Sequence, residues 1–308
     1  MTPHEFAIAG SVVYASLFDY PLTLDQLHET LIKSDQTPSG ILATFQTSDR
    51  LQQIVEYRDG YFFPAGRDDL IAERRHREAR SRAFLDRYRP VLRVITALPF
   101  TRMVALSGSV AHLNLERGGD LDLFVISRGP RVWSVAVAVL LITKLLRRRR
   151  VVCVNVVVAD THLMLDQHDL FTANQVIHLK PLIGGETLDE LVAANPFVRE
   201  FYPNALRAFA EPPIAWRRNR SLERIKVIME AVLTPLSPTI ETICRRLFGR
   251  YLQRRAQAWT SPEQVRLQTD YLELFVRSHR YSILERFDAA MSAAWQRANA
   301  SGPRAAAR

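Results

Sequence analysis

Two aspartates two positions apart, Asp120 and Asp122, sit in the run Asp120-Leu121-Asp122-Leu123-Phe124, ten residues after the pair Gly108-Ser109. On a strand, alternation puts both carboxylates on one side and Leu121 and Leu123 on the other. Two carboxylates held this close repel unless a cation lies between them. Mg²⁺ suits such a pair, because it binds carboxylate and phosphate oxygens together. Gly108-Ser109 follows the apolar run Arg102–Ser107. It offers backbone N–H groups and a hydroxyl to a phosphate, and glycine allows that phosphate to approach closely. A phosphate cradle beside a metal pair is equipment for phosphoryl or nucleotidyl transfer.

Gly-Ser, a spacer of this length and Asp-apolar-Asp-apolar together resemble the signature of the polymerase-beta-like nucleotidyltransferase superfamily. The wider chain is similar to bacterial nucleotidyltransferase-domain proteins over roughly residues 5 to 205. The matching segments are Tyr14-Ala15-Ser16-Leu17-Phe18-Asp19-Tyr20-Pro21-Leu22-Thr23, Asp169-Leu170-Phe171-Thr172-Ala173, Lys180-Pro181-Leu182, Ala194-Asn195 and Tyr202-Pro203-Asn204. The resemblance implies that Gly108 and Ser109 hold the phosphates of an NTP and that Asp120 and Asp122 bind Mg²⁺. An acceptor hydroxyl would attack the α-phosphate in line and release pyrophosphate. The acceptor, whether small molecule, protein or RNA, is left open. The resemblance also implies a third carboxylate on a neighbouring strand. The strand Val151–Val158 carries Asn155 there, and Asp160 follows at its end. Either Asp160 is the third ligand, or the site runs on two carboxylates, or catalysis is lost. In the last case the chain would be a catalytically degenerate nucleotide- or nucleic-acid-binding protein.

The elements that must position these residues imply an α+β fold. Arg102–Ser107, Leu121–Ile126 and Val151–Val158 read as strands, with an apolar helix over Val132–Leu146 between the last two. They predict a central domain with a small mixed sheet. Residues 1–66 read as helices over 4–18, 24–32 and 39–48, followed by a hairpin turning at Asp59-Gly60. Thr23 is the expected cap of the second helix. This is the layout of a winged helix. Its third helix carries only Arg50 as a base, at the far end, so DNA binding is not favoured. Residues 67–210 form the expected nucleotidyltransferase domain with leading helices. The Arg-rich stretch 68–98 reads as a solvated connection. The remainder to 204 reads as helices, Glu211-Pro212-Pro213 as a linker, 211–308 as a helical region, and the tail SGPRAAAR as frayed.

Lys and Arg exceed Asp and Glu by 41 to 32 in 308 residues, giving +9 and a pI near 9.9. That balance favours polyanionic partners such as nucleotide phosphates. The only cysteines, Cys153 and Cys244, lie far apart, which argues against a disulfide framework or zinc site and fits a reducing cytoplasm. No secretory signal is expected from MTPHEFAIAG. Val132–Leu146 is too short to span a bilayer, so a membrane span is not expected. No nucleophile elbow, Walker loop or dinucleotide fingerprint occurs.

Overall fold

A computed structural model describes residues 1–205, 212–217, 219–275 and 279–300. The tail 301–308 and Glu211 of the expected linker lie outside the described residues. The chain is α+β, with a three-stranded and a six-stranded sheet among the described residues.

The N-terminal unit begins with α1 (Pro3–Ser16), β1 (Leu22–Thr23), α2 (Leu24–Glu29), α3 (Pro38–Thr47) and α4 (Asp49–Gln52), and closes with the hairpin β2 (Val55–Arg58) and β3 (Tyr61–Pro64). Thr23 caps α2 as expected, through a capping box with Gln26. Asp59 and Gly60 are both left-handed, at φ 51° and 83°, as a tight two-residue hairpin turn requires. β1 adds an antiparallel strand beside β3, giving the order β1-β3-β2. Ile8, Val12, Leu27, Ile41, Leu51 and Phe62 bury their side chains together as the core of this unit.

α5 (Asp69–Thr96) is one helix of 28 residues that runs through Pro90. Its arginines are not merely solvated. Arg74 lies over the rings of Tyr20 and Tyr61 and donates to the Pro21 carbonyl. Arg77 bonds Asp19, Glu73 and the Phe18 carbonyl, and Arg80 donates to the Leu115 carbonyl. The alternation of charge along this helix gave no sign that its cations clamp two units together.

The larger sheet is built from β4 (Thr101–Ser107), β5 (Leu121–Ser127), β6 (Val152–Ala159), β7 (Lys180–Ile183), β8 (Val265–Leu267) and β9 (Tyr271–Leu274), in the order β7-β4-β5-β6-β9-β8. β5 and β6 are parallel and the other pairings antiparallel, so the sheet is mixed as expected. Between strands run α6 (Gly108–Ala111), α7 (Val132–Leu145), α8 (Leu170–Ile177), α9 (Gly185–Ala193), α10 (Phe197–Phe201), α11 (Arg220–Leu233) and α12 (Ser237–Arg255), and α13 (Arg280–Ala300) follows the last strand. Three of these strands lie in stretches expected to be helical. β7 was masked by Pro181, which an edge strand tolerates because its N–H side needs no partner. β8 and β9 are short and lie between long helices, so helical composition around them hides their alternation.

Alternation along β5 divides the domain into two layers. Leu121, Leu123 and Val125 face one core with α5, α7 and α12, while Phe124 and Ile126 face the other with α8, α9 and α10. Asp120 and Asp122 share the second face with Phe124. α7 packs Trp133, Val135 and Val139 inward but has no capping side chain of its own at Arg131. Glu241 of α12 supplies the cap: its two carboxylate oxygens accept from the backbone N–H groups of Trp133 and Ser134, each at 2.8 Å. Glu241→Ala leaves one buried and one half-buried helix N-terminal donor unmet, and we expect it to lower unfolding free energy by about 2–3 kcal/mol. A thermal melt followed by circular dichroism checks this; an unshifted melt would mean that water replaces the carboxylate without cost.

Candidate active site

β4 and β5 pair so that Ser107 lies opposite Asp122. The chain then turns sharply at Gly108, whose φ is +63°. A Cβ at Gly108 would sit 2.4 Å from Asp122 Oδ2. Glycine is therefore required twice, once for the left-handed backbone and once for the approach to the carboxylate. Gly108 and Ser109 open the short helix α6, and the Ser109 carbonyl accepts from the Asn114 N–H at 2.8 Å.

β6 supplies the other wall. Its parallel register sets Cys153 beside Asp122, and an irregularity after Leu123 keeps both Asn155 and Val156 on the Asp122 face. Asn155 Nδ2 donates to Asp122 Oδ1 at 2.7 Å, and Cys153 Sγ donates to Asp120 Oδ2 at 3.0 Å. Ligand atoms of Asp120, Asp122 and Cys153 all lie within 4.8 Å of one another. Burial, and then the charge of Asp120, push Asp122 up to about 6, against the opposing hydrogen bond from Asn155. Burial and the neighbouring Asp120 push the Cys153 thiol up to about 12, so it stays protonated and acts as a donor to Asp120.

These groups line a cavity of about 520 Å³, walled also by Phe18, Phe171 and Gln175. β9 contributes Glu273, whose strand position faces Val156 across β6. Burial pushes the Glu273 carboxyl up to about 7, and Tyr271 Oη donates to it at 3.4 Å. Among the described residues no Lys or Arg lines this cavity. A second cavity of about 240 Å³ shares Phe18, Gly108, Phe171 and Gln175 with the first and reaches Ser109, Tyr14 and the His112–His178 pair. The two imidazoles lie 4.0 Å apart between centroids, and burial lowers both below the usual histidine range.

Of the residues singled out from sequence, Gly108, Asp120 and Asp122 meet at one cavity, and Ser109 lies at its junction with the second. Asp160 stands apart, at the other end of β6. Its carboxylate pairs with Arg102 at 3.2 Å and accepts from the Gly129 N–H at 2.8 Å. It closes a turn there, and Asp160 does not stand with Asp120 and Asp122 as a third ligand. Glu116 is exposed and reaches Arg77, Arg128 pairs with Glu230, and Arg131 covers Phe100. Sequence reasoning missed Cys153 and Glu273. The first was legible, because Cys153 and Asn155 alternate on a strand as Asp120 and Asp122 do. The second required knowing that β9 exists.

No protein-family model, curated protein or solved structure matches this chain.

Proposed function

We propose that the chain is a Mg²⁺-dependent nucleotidyltransferase that moves a nucleoside monophosphate from an NTP to an acceptor hydroxyl. The observation that carries this reading is the Asp120–Asp122 pair at a cavity whose glycine turn abuts Asp122 Oδ2. The donor set fits a hard cation: two carboxylates beside a thiol that remains neutral. Asp120 and Asp122 would hold Mg²⁺, which when bound would neutralise phosphate charge and polarise the α-phosphate. Asn155 and Cys153 fix the two carboxylates by hydrogen bonds, so less reorientation is needed when a cation arrives. The Gly108 turn presents backbone N–H groups to the β- and γ-phosphates, with Ser109 beside them. Glu273, titrating near neutrality in the same cavity, is suited to accept the proton of the attacking hydroxyl. The adjoining cavity is the natural entry for a small acceptor.

The N-terminal unit, with its helices and three-stranded sheet, supports the winged-helix reading in layout. We assign it a positioning role rather than DNA contact. Asn114 Nδ2 donates to the Phe18 carbonyl at 2.7 Å, and Asn204 Nδ2 reaches three carbonyls between His28 and Gln36, which holds the unit against the cavity wall.

A cavity lined by three acids, Asp120, Asp122 and Glu273, and by no Lys or Arg among the described residues repels a bare triphosphate. Calorimetry should therefore find NTP binding in Mg²⁺ and a loss of about 100-fold or more in chelator. Equal affinity with and without Mg²⁺ would defeat the proposal. The rival reading, nucleotide binding without turnover, draws on Asn155 standing where an acid is expected. Binding without pyrophosphate release across a broad set of acceptors would favour it.

A further inference from the structure

Helix α11 is amphipathic in the reverse sense. Arg220–Ala258 is a helical tract, α11 and α12 joined by a 3-10 turn at Thr234–Leu236, long and apolar enough in composition to cross a membrane. α12 packs Phe248 and Leu252 against the α7 core, whereas α11 buries no side chain and is tied to the protein through polar groups. Lys226 Nζ donates to the Thr101 carbonyl at 2.6 Å, and Glu230 accepts from the Phe100 N–H at 2.8 Å. Glu241 caps α7, as described above. Those bonds hold the tract along the domain surface, so it cannot thread a bilayer without breaking them.

The opposite side is apolar and open. Ile225, Ile228, Met229, Val232 and Leu236 follow the spacing of one helical face, and Ile243 and Leu247 extend the apolar surface onto α12. Ile228, Val232 and Leu247 are each 63% exposed, and Leu145 at the end of α7 is 76% exposed. Exposed arginines lie on the same two helices, Arg220 and Arg224 on α11 and Arg246, Arg250 and Arg254 on α12, and the exposed run Arg147–Arg150 follows Leu145 and Leu146 at the end of α7. Residues 220–255 hold eight Lys or Arg and three Glu, and two of those glutamates are the ones bound inward.

We propose that this face docks on an anionic lipid surface, its apolar stripe entering the headgroup boundary while the arginines meet lipid phosphates and carboxylates. Charge complementarity selects that occupant. A second copy meeting the same face would set its exposed arginines against these arginines, and the tract holds only three carboxylates against eight cations. The inference stands independently of the chemistry assigned to the cavity.

The test is sedimentation of the full chain with vesicles of phosphatidylcholine alone, or of phosphatidylcholine with phosphatidylserine. The expected result is binding to the anionic vesicles alone, weakened by salt. Val232→Glu and Ile228→Glu should each reduce that binding roughly tenfold or more. Both side chains are exposed, so an unchanged thermal melt separates lost docking from lost folding. Arg147→Gln with Arg148→Gln, a second route to the same end, should weaken binding without touching the apolar stripe. Absence of binding to either vesicle overturns the proposal, as does equal, salt-insensitive binding to both. A concentration-dependent dimer in ultracentrifugation that Val232→Glu dissolves would overturn it in favour of self-association.

Discussion

Asp122→Asn should remove Mg²⁺-dependent NTP binding by about 100-fold or more and lower any turnover by roughly three orders of magnitude. At the same time it should make the metal-free protein more stable. The two effects have one cause. In the folded chain Asp122 titrates at about 6, above the ordinary value of 3.8, because burial and Asp120 disfavour its charge. The folded state therefore holds a proton more readily than the unfolded state between those two values. Stability is full below about 3.8, falls as pH rises through that window, and at pH 7.5 carries the whole penalty. Two pH units correspond to about 3 kcal/mol, and partial solvent access to the side chain reduces this to about 1–2 kcal/mol. Asparagine removes the charge and can still accept the hydrogen bond from Asn155, so the penalty vanishes while the fold keeps its contacts.

Calorimetry and a chelated thermal melt on the same two proteins check this prediction. A gain of a few degrees in melting temperature with loss of Mg-NTP binding fits a site held ready for a cation at the expense of stability. A variant that loses both binding and stability would instead make Asp122 a structural residue. The pH dependence of the wild type has the opposite sign for binding. A cation must displace the proton, so affinity should fall by up to tenfold per unit as pH drops below about 6. Affinity that stays flat from pH 7.5 to 5 would mean that Asp122 is not a ligand.

Much of the central fold was legible because its signals are local. The Arg102–Ser107, Leu121–Ile126 and Val151–Val158 strands announce themselves by apolar runs. The hairpin at Asp59-Gly60 and the cap at Thr23 depend on residues two or three positions away. What escaped was set by distant partners. β7 begins Lys180-Pro181, and a proline is admissible in a strand only once that strand is known to be an edge. β9 brings Glu273 to the cavity by pairing with β6, more than a hundred residues earlier in the chain. The buried arginines Arg74 and Arg77 look solvated in a helix of such charge until Tyr20, Tyr61 and Asp19 are placed around them. Asp160 was the reverse case. Its chemistry suited a metal, but its position one strand length from Asp122 gave it to Arg102 instead.

Gly108→Ala should damage the same site through the backbone, and a second glycine makes the effect interpretable. Alanine at φ +63° costs about 1–2 kcal/mol for the left-handed conformation alone. At Gly108 the new methyl would also lie 2.4 Å from Asp122 Oδ2 and 3.2 Å from its Cγ. The obstructing atoms are the end of a side chain and not backbone, so the carboxylate can swing aside and the fold can survive. The cost then falls on the site, because Asp122 leaves both Asn155 and the face it shares with Asp120. We expect Mg²⁺-dependent NTP binding to weaken by roughly 10- to 100-fold, with stability reduced by about 1–2 kcal/mol. Gly60 is the control. It is also left-handed, at φ +83°, but nothing lies within 4 Å of a Cβ placed there. Gly60→Ala should bear a similar backbone cost and bind Mg-NTP as the wild type does. If the two variants lose stability alike and both keep full binding, the close approach of Gly108 to Asp122 is packing without consequence for the site. If only Gly108→Ala loses binding, the glycine turn and the carboxylate act together, as a phosphate cradle beside a cation requires.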